Sequence, residues 1–311
     1  MAHCNLLVAI VAVVLLVAVG TKASGGIGFN LHHRFSPVVR QWMEARGHAP
    51  GSSWLPEDAP KGSREYYSAL LRLDRALLAT RRGLANADGQ STLIFADGNA
   101  TRRLDHHAFL YYAEVEVGTP SSKFLVALDT GSDLFWLPCE CKQYCPETGN
   151  TTDMEWSSYS PSQSSTSKMV PCDHPLCEDA CAAGTVNTNS CPYNVSYVSA
   201  NTNSSGVLVE DVLHLTGGGG ESVEAPIVFG CGQVQTGLFL QGGAEGGLMG
   251  LGTGNVSVPN ALASSGLVTS DSFSMCFSRD GAGRINFGDA GSPDQAETPF
   301  IAPGSLQLGL Q

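Results

Sequence analysis

Charged side chains are scarce in this sequence of 311 residues, since Asp, Glu, Lys and Arg make up 15% of it, against 42% hydrophobic residues. Basic residues are scarcest after position 106, where only five occur: Lys123, Lys142, Lys168, Arg279 and Arg284. The chain carries a formal net charge of −12. Because phosphate binding needs a basic surface, this balance argues against a nucleic-acid partner. The apolar fraction is sufficient for a packed core.

Long apolar runs are absent except at residues 6–19, which form a run too short to span a bilayer comfortably. Small residues follow around Ala23, so residues 1–24 are predicted to be a signal peptide. The run has no Lys or Arg before it, and a membrane anchor is the alternative. No membrane span is expected in the mature chain.

Five N-x-S/T motifs agree with export and are candidate glycosylation sites: Asn99, Asn150, Asn194, Asn203 and Asn255. The expected location is the secretory pathway, and finally the extracellular space or cell wall, or the vacuole.

Paired C-x-x-C motifs are also absent. In an oxidising compartment, the nine cysteines after the signal peptide are disulfide candidates: Cys139, Cys141, Cys145, Cys172, Cys177, Cys181, Cys191, Cys231 and Cys276. A zinc site at the first three is the alternative, but no nearby His completes it. The glycine-rich residues 242–254 are not followed by G-K-[ST], which argues against a phosphate loop. No metal and no cofactor are expected.

Residues 25–105 differ in charge from the rest, with eleven basic and eight acidic side chains. A basic leader before an acidic body predicts a propeptide held partly by charge complementarity; a flexible extension is the alternative. Within the leader, apolar residues at helical spacing from Tyr66 to Leu77 predict a helix, with Ser63 as its N-cap. Arg102 and Arg103 form a candidate processing site.

The body is predicted to be mainly β. Alternating or continuous apolar patterns predict strands at residues 113–117, 124–128, 207–215, 227–229 and 285–287. Residues 258–265 alone have a helical pattern there. Frequent Gly, Ser, Thr and Asn between these segments are typical of tight turns.

Asp129 lies at the end of the apolar strand 124–128 and is followed by Thr130, Gly131 and Ser132. Burying a carboxylate is costly unless donors surround it. Glycine permits close backbone approach, and the two hydroxyls supply donors. This setting makes Asp129 a candidate catalytic carboxylate.

Residues 124–138 resemble the first active-site loop of the pepsin family, in its plant nepenthesin- and nucellin-like branch. Residues 139–191 resemble its disulfide-rich insertion, and residues 191–197 with 206–213 resemble its flap hairpin. Further stretches resemble the family propeptide, opening strand and later landmarks of the first lobe, in the same order: residues 29–36, 111–120, 229–233, 247–252, 273–277 and 283–288.

The resemblance implies the N-terminal lobe of the bilobal pepsin-like fold, at residues 106–311, and an aspartic endopeptidase acting on peptide or protein substrates at acid pH. Asp129 would be one of two carboxylates that activate water, supported by Thr130, Gly131 and Ser132. The flap tyrosine would be Tyr197, with Tyr193 as the less favoured choice, and Trp136 would lie behind it. The strand beside the catalytic loop would contain Leu248, Met249 and Gly250. As an alternative, Trp136 and Tyr197 are simply packing aromatics.

A second Asp-Thr/Ser-Gly motif is lacking. Asp289, followed by Ala290 and Gly291, is interpreted as a turn residue, with catalysis as the alternative. The expectation is therefore that the second lobe is absent and that this chain alone is inactive, because two aspartates share a proton in the mechanism. The alternatives are a non-catalytic secreted lobe that binds peptides or carbohydrates, like plant inhibitor proteins, a decoy, or a self-associated dimer.

Overall fold

The computed structural model describes most of the body and several parts of the leader. The described residues are 26–34, 36–45, 62–68, 71, 92–94, 101–103, 111–140, 158–177, 181, 190–198, 201–241, 244–277, 282–289, 291 and 294–296. The predicted signal peptide, Asn99, Asn150, Cys141 and Cys145 lie outside them.

The described secondary structure is mainly β, as predicted. The strands are β1 (Ile27–His33), β2 (Thr92–Ile94), β3 (Thr101–Arg103), β4 (Tyr111–Val117), β5 (Ser122–Asp129), β6 (Trp136–Pro138), β7 (Lys168–Met169), β8 (Pro192–Ser196), β9 (Asn203–Thr216), β10 (Ser222–Gln235), β11 (Leu248–Gly250), β12 (Phe273–Phe277) and β13 (Ala282–Phe287). The helices are α1 (Pro37–Ala45) and α2 (Val258–Ser264), with 3₁₀ turns at Pro161–Gln163 and Gly237–Gln241. No described helix has the length and apolar character needed to cross a bilayer.

Eleven strands form one mixed sheet in the order β12-β13-β1-β4-β5-β11-β6-β10-β9-β7, with β8 also paired to β9. The long strand β9 additionally pairs with β1 and β4, so the sheet folds back on itself. β5–β11 and β6–β10 are parallel pairs, whereas the other pairs are antiparallel. β2 and β3 form a separate hairpin.

The predicted body strands all lie within observed ones, and the predicted helix corresponds to α2. The N-cap prediction at Ser63 is confirmed, because its hydroxyl accepts from the Tyr66 N–H at 3.1 Å and residues 64–68 are helical. The rest of that predicted helix is mostly outside the described residues.

Two elements of the leader that the sequence patterns did not predict, β1 and α1, pack into the body. β1 lies between β13 and β4 in the main sheet, with Leu31 fully buried. α1 places Val39 and Trp42 in the core, at 0% and 1% exposure. β1 and α1 are therefore packed parts of the domain.

Three disulfides are present among the described cysteines. Cys139 at the end of β6 is bonded to Cys231 of β10. The other two link Cys172 with Cys181, and Cys177 with Cys191. Cys276 on β12 is an exposed free thiol. The Cys139–Cys231 disulfide therefore links the end of β6, the strand that follows the Asp129 segment, to β10.

Asp211 is a buried carboxylate in the middle of β9, only 2% exposed. It accepts hydrogen bonds from the Tyr159 hydroxyl at 2.6 Å, from the Thr166 hydroxyl at 2.5 Å and from the Val212 N–H at 2.8 Å. Burial alone would raise the pKa of Asp211, but these donors, with Ser164, hold it below its usual value. The carboxylate thus ties residues 159–166 to β9.

Replacing Asp211 with Ala is expected to lower the free energy of unfolding by about 2–4 kcal/mol at neutral pH, because buried hydroxyls lose their acceptor. A carboxylate with a lowered folded-state pKa stabilises above the unfolded pKa of about 3.9, and this stability is lost as pH falls through the folded value. The difference between wild type and Asp211→Ala should therefore shrink in acid. Denaturant unfolding of wild type and Asp211→Ala at neutral and acid pH measures the loss of stability and its pH dependence.

Glu210→Ala is the control for Asp211→Ala. Glu210 pairs with Lys168 at 3.1 Å on the surface, where such pairs contribute about 0–1 kcal/mol. Equal losses in both variants, at every pH, would contradict the assigned role of Asp211.

Candidate functional site

Asp129 is the last residue of β5, and its half-buried carboxylate has donors on both oxygens. The Gly131 N–H donates to Oδ1 at 2.9 Å, and the Ser132 hydroxyl donates to Oδ2 at 2.7 Å. The local sequence explains this geometry, because a glycine and a hydroxyl two and three residues later turn back onto the carboxylate. The carboxylate is held in one orientation. Thr130 has an exposed side chain.

β11 lies between β5 and β6 and holds the aspartate loop, residues 129–133, from the side. Gly250 is in register with Asp129, and Leu248 with Ala127 on one side and Trp136 on the other. The Leu251 N–H donates to the Asp129 carbonyl at 2.9 Å. Gly250 is required here because a Cβ would overlap the backbone of Asp133. Leu248 and Met249 are fully buried.

The loop after β11 adds two further bonds to the aspartate loop. The Gly252 N–H donates to the Ser132 carbonyl at 2.9 Å, and the Gly254 N–H donates to Asp133 Oδ1 at 2.9 Å. The backbone around Asp129 is therefore fixed by residues about 120 positions away in the sequence.

The hairpin of β8 and β9 carries Tyr197 to the aspartate loop. Its hydroxyl accepts from Trp136 Nε1–H at 2.9 Å and lies close to Ser132. Burial raises the pKa of Tyr197 to about 12, although the bond from Trp136 works in the opposite direction. Tyr197 is therefore a neutral donor at acid and neutral pH.

Two hydrogen bonds connect these residues: the Trp136 indole N–H donates to the Tyr197 phenol, and the Ser132 hydroxyl donates to the Asp129 carboxylate. The Tyr197 phenol lies close enough to Ser132 and Asp129 for both to influence its pKa. The aromatic rings are also packed, since Phe239 contacts Trp136 at 4.9 Å and Tyr197 at 5.0 Å between ring centroids. Trp136 and Tyr197 are therefore both packed against Phe239 and hydrogen-bonded to each other.

Tyr193, the less favoured flap candidate, has a different neighbour. Its hydroxyl shares a hydrogen bond of 2.9 Å with Ser204 on the adjacent strand, and burial raises its pKa above the usual value. It also lines a cavity of about 440 Å³ beside the aspartate loop, with Asp133, Leu134, Val195 and Val256. Trp136 is hydrogen-bonded to Tyr197, whereas Tyr193 is hydrogen-bonded to Ser204.

Asp289 is fully exposed after β13 and closes a local turn. Its carboxylate accepts from the Ser274 hydroxyl at 2.7 Å and from the Gly291 N–H at 2.9 Å, and these bonds lower its pKa. This arrangement is a turn of the kind that the sequence indicated.

The predicted glycosylation motifs within the described residues lie on the surface. Asn194 and Asn255 are exposed, and Asn203 is partly exposed. In the described part of the chain, no group of three His, Cys, Asp or Glu side chains is arranged to bind a metal ion.

The sequence patterns did not identify two residues described above, Phe239 and Asp211. Phe239, in the 3₁₀ turn, completes the aromatic cluster, and a short apolar turn gives no periodic signal. Asp211 did leave a signal, because it replaces an apolar residue in the inward alternation of Val209 and Leu213.

The geometry and the sequence agree with a known family. The sequence profile described as "Xylanase inhibitor N-terminal" matches residues 111–289, more than half of the chain. The chain belongs to the plant pepsin-like aspartic protease family. Named relatives agree with this assignment and come from two plants.

Among the relatives of this plant protease family, "Aspartyl protease family protein 1" of Arabidopsis thaliana is 50% identical over 284 residues, covering 89% of this chain and 52% of the relative. "Aspartic proteinase-like protein 1" of the same plant is 41% identical, covering 93% and 54%. "Aspartic proteinase nepenthesin-2" of Nepenthes gracilis is 31% identical, covering 62% and 39%. The chain spans about half the length of the first two relatives.

Proposed function

We propose that this chain supplies one half of the active site of an aspartic endopeptidase, with Asp129 as one of two catalytic carboxylates. The observation that supports this most is the pair of hydrogen bonds at this site, from Trp136 to Tyr197 and from Ser132 to Asp129. They place the hairpin that carries Tyr197 beside a carboxylate at the end of a buried strand.

Each residue has a defined task in this proposal. Asp129 shares a proton with a second carboxylate, so that one acts as base towards water while the other donates to the peptide carbonyl. Ser132 orients the Asp129 carboxylate through Oδ2. Tyr197 remains protonated, and its hairpin reduces the access of bulk water to the reacting groups.

The 311-residue polypeptide is proposed to be inactive alone. It contains one Asp-Thr-Gly motif, and the other candidate carboxylate, Asp289, is exposed and bonded within its own turn. A single carboxylate cannot act as base and acid in the same step.

A chimera tests the proposal. This chain, joined to the part of Aspartyl protease family protein 1 that follows the matched region, should hydrolyse a quenched fluorescent peptide at acid pH. The 311-residue chain alone should not. An active 311-residue chain would contradict the claim of inactivity. A folded but inactive chimera would contradict the catalytic proposal.

A non-catalytic lobe that binds peptides or carbohydrates is the second candidate, favoured by the matching profile, whose description names an inhibitor. Pepstatin, a peptide ligand of aspartic proteases, distinguishes the two. Pepstatin binding to the chimera, if it depends on Asp129, supports the protease. An inactive chimera that does not bind pepstatin in this way supports the second candidate.

We also propose that the protein is an exported zymogen, with residues 25–105 as its propeptide. The apolar run 6–19, the basic leader and the packing of β1 and α1 against the acidic body support this. The vacuole and the cell wall are its proposed destinations.

A further inference from the structure

The flap, defined as the hairpin of residues 192–207, carries two glycosylation motifs in mutual register. Asn194 is paired with Ser205, and Ser196 with Asn203. Residues paired across antiparallel strands project from the same face, as do residues two apart on one strand. The asparagine and serine of both motifs therefore occupy one face of the flap.

The glycosylation face of the flap is accessible to solvent. Asn194 and Ser196 are exposed, whereas the alternating residues Tyr193 and Tyr197 bond to Ser204 and Trp136 inside the molecule. Asn194 also lines the cavity that Asp133 borders, so a glycan on Asn194 would lie at the rim of this cavity.

The free edge of the flap has little of the protection that edge strands normally have. Among the described residues, β8 pairs with β9 alone. Residues 191–209 contain no Asp, Glu, Lys or Arg, and Val198, two residues after β8, is 95% exposed. Uncharged strand edges rich in aromatic and β-branched residues pair readily with other chains, and proteins usually block them with charges, proline or bulges. Here Pro192 protects only the first position.

We propose that N-glycans on Asn194 and Asn203 protect this edge and prevent pairing with a second copy of the chain. A glycan is bulky and hydrophilic, so it takes the place of the missing charges. In its attachment, Asn Nδ2 forms a bond to C1 of the first sugar of a lipid-pyrophosphate-linked oligosaccharide. The C1–O bond breaks, the lipid pyrophosphate leaves with the electron pair, and the amide loses one proton. The proposal does not depend on catalysis.

Paired substitutions test this in the 311-residue chain secreted from insect cells. Ser196→Ala with Ser205→Ala removes both motifs but keeps both asparagines. Ser196→Thr with Ser205→Thr keeps both motifs in nearly the same shape. Mass spectrometry of glycopeptides gives the occupancy, and light scattering after size exclusion gives the oligomeric fraction.

The wild type and the Thr pair should carry glycan on the flap and remain monomeric, whereas the Ala pair should show a severalfold larger oligomeric fraction. Adding Val198→Lys to the Ala pair should restore the monomer, because it places a charge at the exposed end of the edge. Asn255→Gln, which removes a motif elsewhere, should remain monomeric.

Two results would overturn the proposal: unoccupied Asn194 and Asn203 in the wild type, or a folded Ala pair as monomeric as the wild type. If the Ala pair is not secreted, the folded wild type is trimmed to single sugars with an endoglycosidase. Trimming should then increase self-association, and no increase would also overturn the proposal.

Discussion

Asp129→Asn should reduce the peptidase activity of the chimera by about 10²–10⁴-fold or more, the range expected when a group that transfers protons is lost. Asparagine has the same shape and still accepts from Gly131 and Ser132 in part, so the fold should be retained. What is lost is the negative charge that shares a proton with the second carboxylate. The measurement is kcat/KM on a fluorescent peptide at acid pH, with the unfolding midpoint of both proteins.

Asp289→Asn is the matched control, since it removes the other candidate carboxylate from an exposed turn. It should leave kcat/KM unchanged. Ser132→Ala should have an intermediate effect of about 10–100-fold, the value of one hydrogen bond to a charged group. If Asp289→Asn were the damaging substitution, the assignment of the catalytic carboxylate would be wrong.

Trp42→Ala should destabilise the domain by about 3–5 kcal/mol, the usual cost of removing a large buried aromatic side chain. Trp42 is 1% exposed, its ring lies 6.3 Å from that of Tyr112, and it shares a cluster with Leu125, Trp136 and Leu248. The cavity would therefore open close to the strands that hold the aspartate loop. Denaturant unfolding of the 311-residue chain measures the loss.

Gln41→Ala, on the exposed side of the same helix, separates packing from helix formation. It should change the free energy of unfolding by less than about 0.5 kcal/mol, as expected for a surface site. If Trp42→Ala were as mild as Gln41→Ala, the leader would not be an integral part of the core in solution.

The body of the fold was predictable because its patterns are local. Val115 and Val117 alternate with Glu114 and Glu116, and the structure buries the valines in β4. Ser257 and Pro259 begin α2 as capping rules require, with the Ser257 hydroxyl accepting from the Asn260 N–H. Strand order was not predictable in this way, since β11 enters between β5 and β6 through contacts distant in sequence.

The leader contains two signals that the sequence analysis missed. Ser36 and Pro37 are an N-cap and a first-turn proline, and the Ser36 hydroxyl accepts from the Val39 N–H at 3.3 Å. α1 was therefore predictable. β1 was predictable too, because Ile27, Phe29 and Leu31 alternate with Gly28, Asn30 and His32, although its pairing with β4 and β13 was not.

The site was predictable as a set of residues, but its connections were not. The resemblance named Asp129, Ser132, Trp136 and Tyr197 separately. The bond from Trp136 to Tyr197 joins residues 61 positions apart, and no local pattern encodes that distance. Phe239 entered the same cluster through tertiary packing alone.

β9 is a single strand of 14 residues, and β10 pairs with it from Ser204 to Thr216. Its first part also pairs with β8 to form the flap, whereas its later part also pairs with β7, β4 and β1. The flap is therefore a continuation of the main sheet and not a separate hairpin. Its tip can lift only if β9 and β10 bend together, so the stiffness of this strand pair sets how far the flap moves.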